Sequence, residues 1–303
     1  MTDIEKRLIQ AVCQNDLQSA RKIAKTILEA DQTQKNRMFV KRQLELLQKS
    51  SLNLLELPSE MKGLLWVEDV SVSFREQRYF LSNREQEVAD RIFSLVRVTE
   101  QLKELGISYV NSTLLYGESG TGKTTFGKYI AYRLGLPFAY LNLSNILSSY
   151  LGSSQKNISK VFEYVRESKC VLMLDELDAI GMRRSDKKEV GEMSRVVISL
   201  MQNLDLLPND VVLLGATNRR DIIDEALLRR FSIHHEIERL SAGEQFQLAV
   251  RFYQDVDFPY AESWLREVTG KSMTQAQLRN ILVEIMVRYF SSDETNKNWD
   301  PDV

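Results

Sequence analysis

The chain has 303 residues, 43% of them hydrophobic, and its 40 Lys and Arg against 42 Asp and Glu leave a formal net charge of −2. That length gives room for two or three structural units and a sizeable core, and a near-neutral total weighs against nucleic acid as the principal partner, although a local basic patch can sit inside such a total. Cys13 and Cys170 lie far apart and show no metal-ligand spacing, which excludes a disulfide framework and fits a reducing compartment. The stretch Met1-Thr2-Asp3-Ile4-Glu5-Lys6-Arg7 has no apolar signal core, and no apolar run approaches the ~20 residues of a membrane span. The expectation is a cytoplasmic protein with no membrane partner.

Residues 1–50 read as a small helical unit. Ile4, Leu8, Ala11 and Val12 share one face, and Ala20, Ile23, Ala24, Ile27 and Leu28 form a second stripe that Asp16 is placed to cap. A third helix is expected over Gln34–Gln48. The unit fits either a docking module or a structural cap on the next domain, because amphipathicity shows only that a face is buried. Residues 51–80 form a transition interrupted by Pro58 and Gly63, with a short strand or two in Leu64–Phe74, and a helix is expected from Arg84. Over 81–238, strand candidates alternate with helices: Thr113–Tyr116, Phe138–Asn142, Val171–Leu174, Val211–Ala216 and Ile233–Ile237. Such alternation predicts an α/β fold, a parallel sheet flanked by helices. Residues 239–290 read as a C-terminal helical lid, and 291–303 as a disordered acidic tail in which Trp299 is a candidate docking anchor.

Gly117-Glu118-Ser119-Gly120-Thr121-Gly122-Lys123-Thr124, followed by Thr125, fits the phosphate-binding pattern Gly-x-x-x-x-Gly-Lys-Ser/Thr without a mismatch. An apolar strand precedes it and a helical pattern follows it, which is the context the chemistry needs. The glycines let the backbone turn its N–H groups toward phosphate oxygens, and the helix adds its positive N-terminal end. Lys123 is expected on the β and γ phosphates of ATP, with the Thr124 hydroxyl on Mg²⁺. Val171-Leu172-Met173-Leu174-Asp175-Glu176 delivers two carboxylates to a strand's C-terminal end, where open α/β sheets bind ligands. Asp175 would hold Mg²⁺ through water, and Glu176 would activate the water that attacks the γ-phosphorus. Val211–Asn218 is a further buried strand that ends on an amide able to position that water. Beyond it lie Arg229 and Arg230, which could stabilise charge on a transferring phosphoryl group, although they lie too far past the strand to serve their own site easily.

In this order and spacing the segments resemble an AAA ATPase of the AAA+ superfamily, over roughly residues 80–290. The resemblance implies a large α/β domain with a small helical lid, working as a homo-oligomeric ring, usually a hexamer. It implies that Arg229 and Arg230 face the next subunit's γ-phosphate; the two are adjacent here, and the sequence does not choose between them. The lid lacks an obvious second-sensor arginine, Arg279 lying late along its helix. Tyr150-Leu151-Gly152 is similar to the pore loop with which AAA unfoldases grip a polypeptide, and Gly181–Asp186 resembles a second pore or interface loop. The reading is an ATP-driven protein remodeller or unfoldase with a protein substrate and a separate protease or adaptor. The alternative, an ATP-switched nucleic-acid-associated module of the helicase-loader or transposition-helper type, shares the loop and the acidic strand but lacks a basic stripe.

Overall fold

The computed structural model describes residues 2–13, 17–31, 33, 36–41, 44, 57, 61, 63–148, 154–180 and 187–291. Helices α1 (Asp3–Cys13) and α2 (Leu17–Ala30) pack on one another, with Ala11 and Ala20 buried. Residues 36–41 and 44 are helical, while Asp16, the rest of the third expected helix and residues 292–303 lie outside the described residues.

Strand β1 (Trp66–Glu68) is followed at once by a single helical turn, α3 (Val70–Ser73). The segment Leu64–Phe74 thus holds one strand and not two. The cause is Asp69, whose carboxylate accepts from Ser71 N at 3.0 Å and turns the chain into a helix. Helix α4 (Asn83–Glu104) opens on a capping box: Ser82 Oγ accepts from Glu85 N, and the Glu85 carboxylate accepts from Ser82 N at 2.8 Å.

The alternating part then runs β2 (Asn111–Tyr116), α5 (Lys123–Leu134), β3 (Phe138–Asn142), α6 (Leu143–Ser148), α7 (Ser154–Arg166), β4 (Val171–Asp175), α8 (Lys187–Asp205), β5 (Val212–Thr217), α9 (Glu225–Leu228) and β6 (Ile233–Glu236). The six strands form one sheet in the order β1-β3-β4-β5-β2-β6, parallel throughout except for the antiparallel edge strand β1. The last strand and β5 each differ from the expected range by a residue at one or both ends.

Both faces of the sheet are buried, as parallel strands with helical crossovers require. On β4, Leu172 and Leu174 join the core with α6, α7 and α8, while Val171 and Met173 point into the opposite core with Phe126, Tyr129 and Ile130 of α5. Each such fully buried side chain contributes about 1.5–3 kcal/mol. Cys170, just before β4, is buried beside them, and burial pushes its thiol up to about 12. It is a small core residue, as its place in an apolar run suggests.

Three more helices complete the described chain: α10 (Ala242–Asp255), α11 (Glu262–Thr269) and α12 (Gln275–Ser291). They share a separate core of Leu248, Phe252, Tyr253, Leu265, Leu278 and Leu282, into which Phe80 from the segment before α4 also packs. Within the sheet, Gly215 admits no side chain: a Cβ there would lie 2.6 Å from the Phe231 ring and 2.8 Å from Leu177. Gly215→Ala is expected to destabilise the fold by about 1–3 kcal/mol through overpacking, read as a lowered midpoint in urea unfolding with an unchanged slope.

Candidate nucleotide-binding site

The loop between β2 and α5 is built on glycines at positive φ, Gly117 at 139° and Gly122 at 114°. Gly117 is held tightly as well as turned, since a Cβ there would sit 2.4 Å from the carbonyl oxygen of Ile237, whose own N–H donates to Tyr116 O at 2.8 Å. Gly122 is the residue from which α5 starts, so the helix begins with Lys123 at the positive end of its dipole. The Lys123 ammonium is buried and donates to the carbonyls of Gly117 at 2.9 Å and Glu118 at 2.8 Å. Burial holds its pKa below the ordinary lysine value, against the opposing pull of Asp175, Asp178 and Glu118. Thr121 closes the loop on itself by donating to Glu118 O at 2.9 Å.

Opposite the loop, β4 ends on Asp175. Its Oδ2 accepts from Thr124 Oγ1 at 3.1 Å and from the Tyr140 phenol at 3.0 Å, and its Oδ1 accepts from Glu176 N at 2.8 Å. Burial, and then the neighbouring Asp175 charge, push the Tyr140 phenol up to about 12, so it stays a donor. A hydroxyl and a carboxylate at this separation are hard oxygen donors of the kind Mg²⁺ takes while keeping several of its waters, so Thr124 and Asp175 fit that ion. Glu176 has φ 58°, an uncommon backbone for a residue with a Cβ and a form of strain that clusters at functional sites. In the short turn after β4, Asp178 Oδ1 accepts from Thr217 Oγ1 of the neighbouring strand β5 at 2.8 Å and from Asn218 N at 3.3 Å, which fixes the start of the loop carrying the Asn218 amide.

Part of this set lines one cleft of about 570 Å³, of a size for a nucleotide-like ligand, while Gly117, Glu118, Thr121, Tyr140, Asp178 and Thr217 stand behind its lining. Ser119, Gly120, Gly122, Lys123, Thr124 and Thr125 form its floor, and Asp175, Glu176 and Asn218 one end. Phe74, Leu248, Phe252, Leu278 and Leu282 supply an apolar wall able to take a base. The helical group is joined to the loop by Arg239, which grips both oxygens of Glu118 at 2.5 and 2.6 Å and donates to Ser272 at 3.0 Å. Through that pair Arg239 also keeps the Glu118 pKa below the usual carboxylate range. Arg279 lines the cleft as well, although the sequence places it late on its helix.

Arg229 and Arg230 are not among the lining residues. Arg230 is held in its own subunit: it donates twice to Asp205 at 2.8 Å and once to Ala226 O at 2.7 Å. Arg229 has 79% of its side chain exposed and only a 3.4 Å pairing with Glu225, an exposed ion pair that restrains it little. Tyr150, Leu151, Gly152 and the segment Gly181–Asp186 lie outside the described residues. Sequence reasoning missed Tyr140, Thr217 and Arg239, whose partners become visible only when the strands are laid side by side.

A lysine-bearing phosphate loop facing strand-end carboxylates across a parallel sheet defines a P-loop nucleotide-binding protein. Residues 113–239 match the family described as ATPase family associated with various cellular activities, and the chain belongs to these AAA ATPases. It is 30% identical to an uncharacterized AAA family ATPase, y4kL, of Sinorhizobium fredii over 219 residues, covering 70% of this chain and 66% of that protein. It is 40% identical over 135 residues to the peroxisomal ATPase PEX6 of Schizosaccharomyces pombe, covering 43% of this chain but 14% of that one. With PEX6 of Saccharomyces cerevisiae the figures are 40% over 129 residues, 41% and 12%. No helix among the described residues is long and apolar enough to cross a membrane.

Tyr140→Phe removes one donor from the Asp175 carboxylate without opening a cavity. It is expected to weaken nucleotide binding in the presence of Mg²⁺ by about tenfold or more, the loss of one hydrogen bond to a charged group. Binding measured calorimetrically without the metal should be unchanged; an equal loss in both conditions would assign Tyr140 to packing alone.

Proposed function

We propose that this chain binds ATP with Mg²⁺, hydrolyses it, and uses the cycle to remodel a protein substrate as a ring of identical subunits. The observation that carries the reading is the convergence of Lys123, Thr124, Asp175, Glu176 and Asn218, from two strand ends and a helix start, on one cleft. When ATP arrives, the Lys123 ammonium exchanges two neutral carbonyl acceptors for anionic phosphate oxygens. Mg²⁺ on Thr124 and, through water, on Asp175 would neutralise charge on the phosphate chain. Glu176 takes a proton from the attacking water, and the Asn218 amide orients that water.

Supporting the ring is the exposure of Arg229, which does not line the nucleotide cleft of its own subunit. We assign the finger that reaches a neighbour's γ-phosphate to Arg229, with Arg230 as its anchor on Asp205. Supporting a protein substrate is the likeness of part of the chain to PEX6 ATPases, together with the pore-loop pattern at Tyr150-Leu151-Gly152. A hexamer, a cytoplasmic location and recruitment of a separate protease or adaptor through the N-terminal helices belong to the same reading. Supporting protein over nucleic acid is the balance of charge.

The first test is the mass in solution of Glu176→Gln, which should bind ATP and not hydrolyse it. A hexameric ring with ATP and a smaller species without it are expected; a monomer under both conditions would remove the shared site and the pore together. The second separates the arginines. Arg229→Ala should lower ATP turnover by about a hundredfold or more with unaltered thermal stability, and activity should partly return when its subunits are mixed with inactive Lys123→Ala subunits. Arg230→Ala should lower the melting temperature, because it leaves Asp205 unpaired.

A further inference from the structure

Helices α7 and α8 pack side by side on the face of the sheet opposite α4 and α5. Between them runs a groove of about 490 Å³ that the nucleotide chemistry does not use. Lys156, Lys160 and Glu163 of α7 line it from one side, and Arg195 and Ile198 of α8 from the other. Lys156 and Arg195 are exposed and have no ion-pair partner among the described residues. Ile198, 49% exposed, sets an apolar side chain open to solvent at the same place.

The cations stand where the helix itself does not favour them. α7 has no acidic residue in its first turn, and Lys156 sits there, at the positive end of the helix dipole. Lys160 follows four residues later on the same face, a spacing at which like charges repel. An anionic partner in the groove relieves both. Glu163 interrupts the basic residues, which suits a short acidic peptide with an apolar side chain and not the continuous basic track a nucleic acid requires. Such a peptide is present in this chain. The twelve residues from Ser292 to Val303 hold Asp293, Glu294, Asp300 and Asp302 against Lys297, with Trp299 beside Asp300.

We propose that segment 292–303 of one copy docks in the α7–α8 groove of a second copy, with its carboxylates on Lys156, Lys160 and Arg195 and with Trp299 on Ile198. This rests on the ring reading above. A second copy is favoured over the same one by the placement of α12, which the segment follows. The helical group is pinned through Phe80, whose neighbour Tyr79 lies in the core of α4 and α5, whereas α7 and α8 belong to the core on the other face. Twelve residues reach at most about 40 Å, and within one subunit the path must round the sheet and both of its helical layers. Head-to-tail packing of identical subunits brings unlike faces together without that detour. The contact gives each subunit a hold on the next that leaves the nucleotide cleft untouched.

The test uses full chains carrying Glu176→Gln and Cys13→Ser, with ATP; Cys170 is buried. Half of them also carry Gln202→Cys in the groove, and half Asn298→Cys beside Trp299. On oxidation the mixture is expected to give a covalent dimer of one of each, and neither kind alone should. Trp299→Ala, or Lys156→Glu with Arg195→Glu, should each cut the dimer yield by about tenfold, as loss of an aromatic anchor or of facing charges implies. Asp300→Lys with Asp302→Lys should restore the yield with the reversed groove, which a folding defect would not allow. Without the charge changes, the yield should fall as salt is added. A monomeric mass in solution with ATP overturns the ring reading, and this inference with it. A ring by mass without the mixed dimer overturns this inference alone, and so does a yield indifferent to Trp299 and to the charge changes. Capture of a single-stranded oligonucleotide through Lys156 and Arg195 also overturns it, and assigns the groove to nucleic acid.

Discussion

The insertion of β5 between β2 and β4 is the constraint on which the rest of the site depends. In register, Tyr116 of β2 stands level with Thr217 of β5, and Leu174 of β4 level with Gly215. The phosphate loop, the Asp175–Glu176 pair and Asn218 therefore leave the sheet within one residue of the same height. Thr124 reaches Asp175 at 3.1 Å only because of that alignment, although 51 residues separate them in the chain. A slip of a single residue in β5 would turn its side chains to the other face and break the alignment. Gly215, caught between Phe231 and Leu177, is one of the contacts that prevents the slip.

Around this frame the chemistry is held by polar contacts that each serve two purposes. Asp175 gathers Thr124, Tyr140 and the Glu176 backbone, so one carboxylate positions the Thr124 hydroxyl and the strained residue next to it. Asp178 does the same for Thr217 and Asn218. Lys123 waits on loop carbonyls, which keeps a buried cation satisfied until a better acceptor arrives. The two adjacent arginines differ in restraint: Arg230 is tied to Asp205 after α9, while Arg229 is exposed beside it.

Much of this was legible in the amino-acid sequence, for reasons that differ by residue. The loop could be read because its determinants are contiguous and each has a separate physical cause. Strands such as Val171–Leu174 could be read because burial on both faces leaves an unbroken apolar run. The single turn at Val70–Ser73 could not, since it depends on where one carboxylate, Asp69, directs its acceptor. Tyr140 looks like any strand aromatic until β3 lies beside β4, and Arg239 meets Glu118 across 121 residues. The different restraint of Arg229 and Arg230 was hidden for the same reason, because it depends on Asp205. Pattern reading recovers what neighbours in the chain decide, and long-range pairings have to be seen.

The joint between the sheet and the helical group combines two kinds of contact with different responses to solvent. Phe80 seats itself in the core of α10 and α12, an apolar link that added salt does not weaken. Other links are ionic and reach the surface: Arg78 with Asp255, and Arg239 with Glu118. Charges in such positions are screened over about 8–10 Å at ordinary ionic strength and over shorter distances above it. The joint is thus a pivot with a fixed pin and adjustable stays. Dilute buffer tightens the stays and holds the helices close over the loop, while concentrated salt slackens them and leaves the pin to bear the load, so the freedom of the cleft to open is set in part by the electrolyte around it.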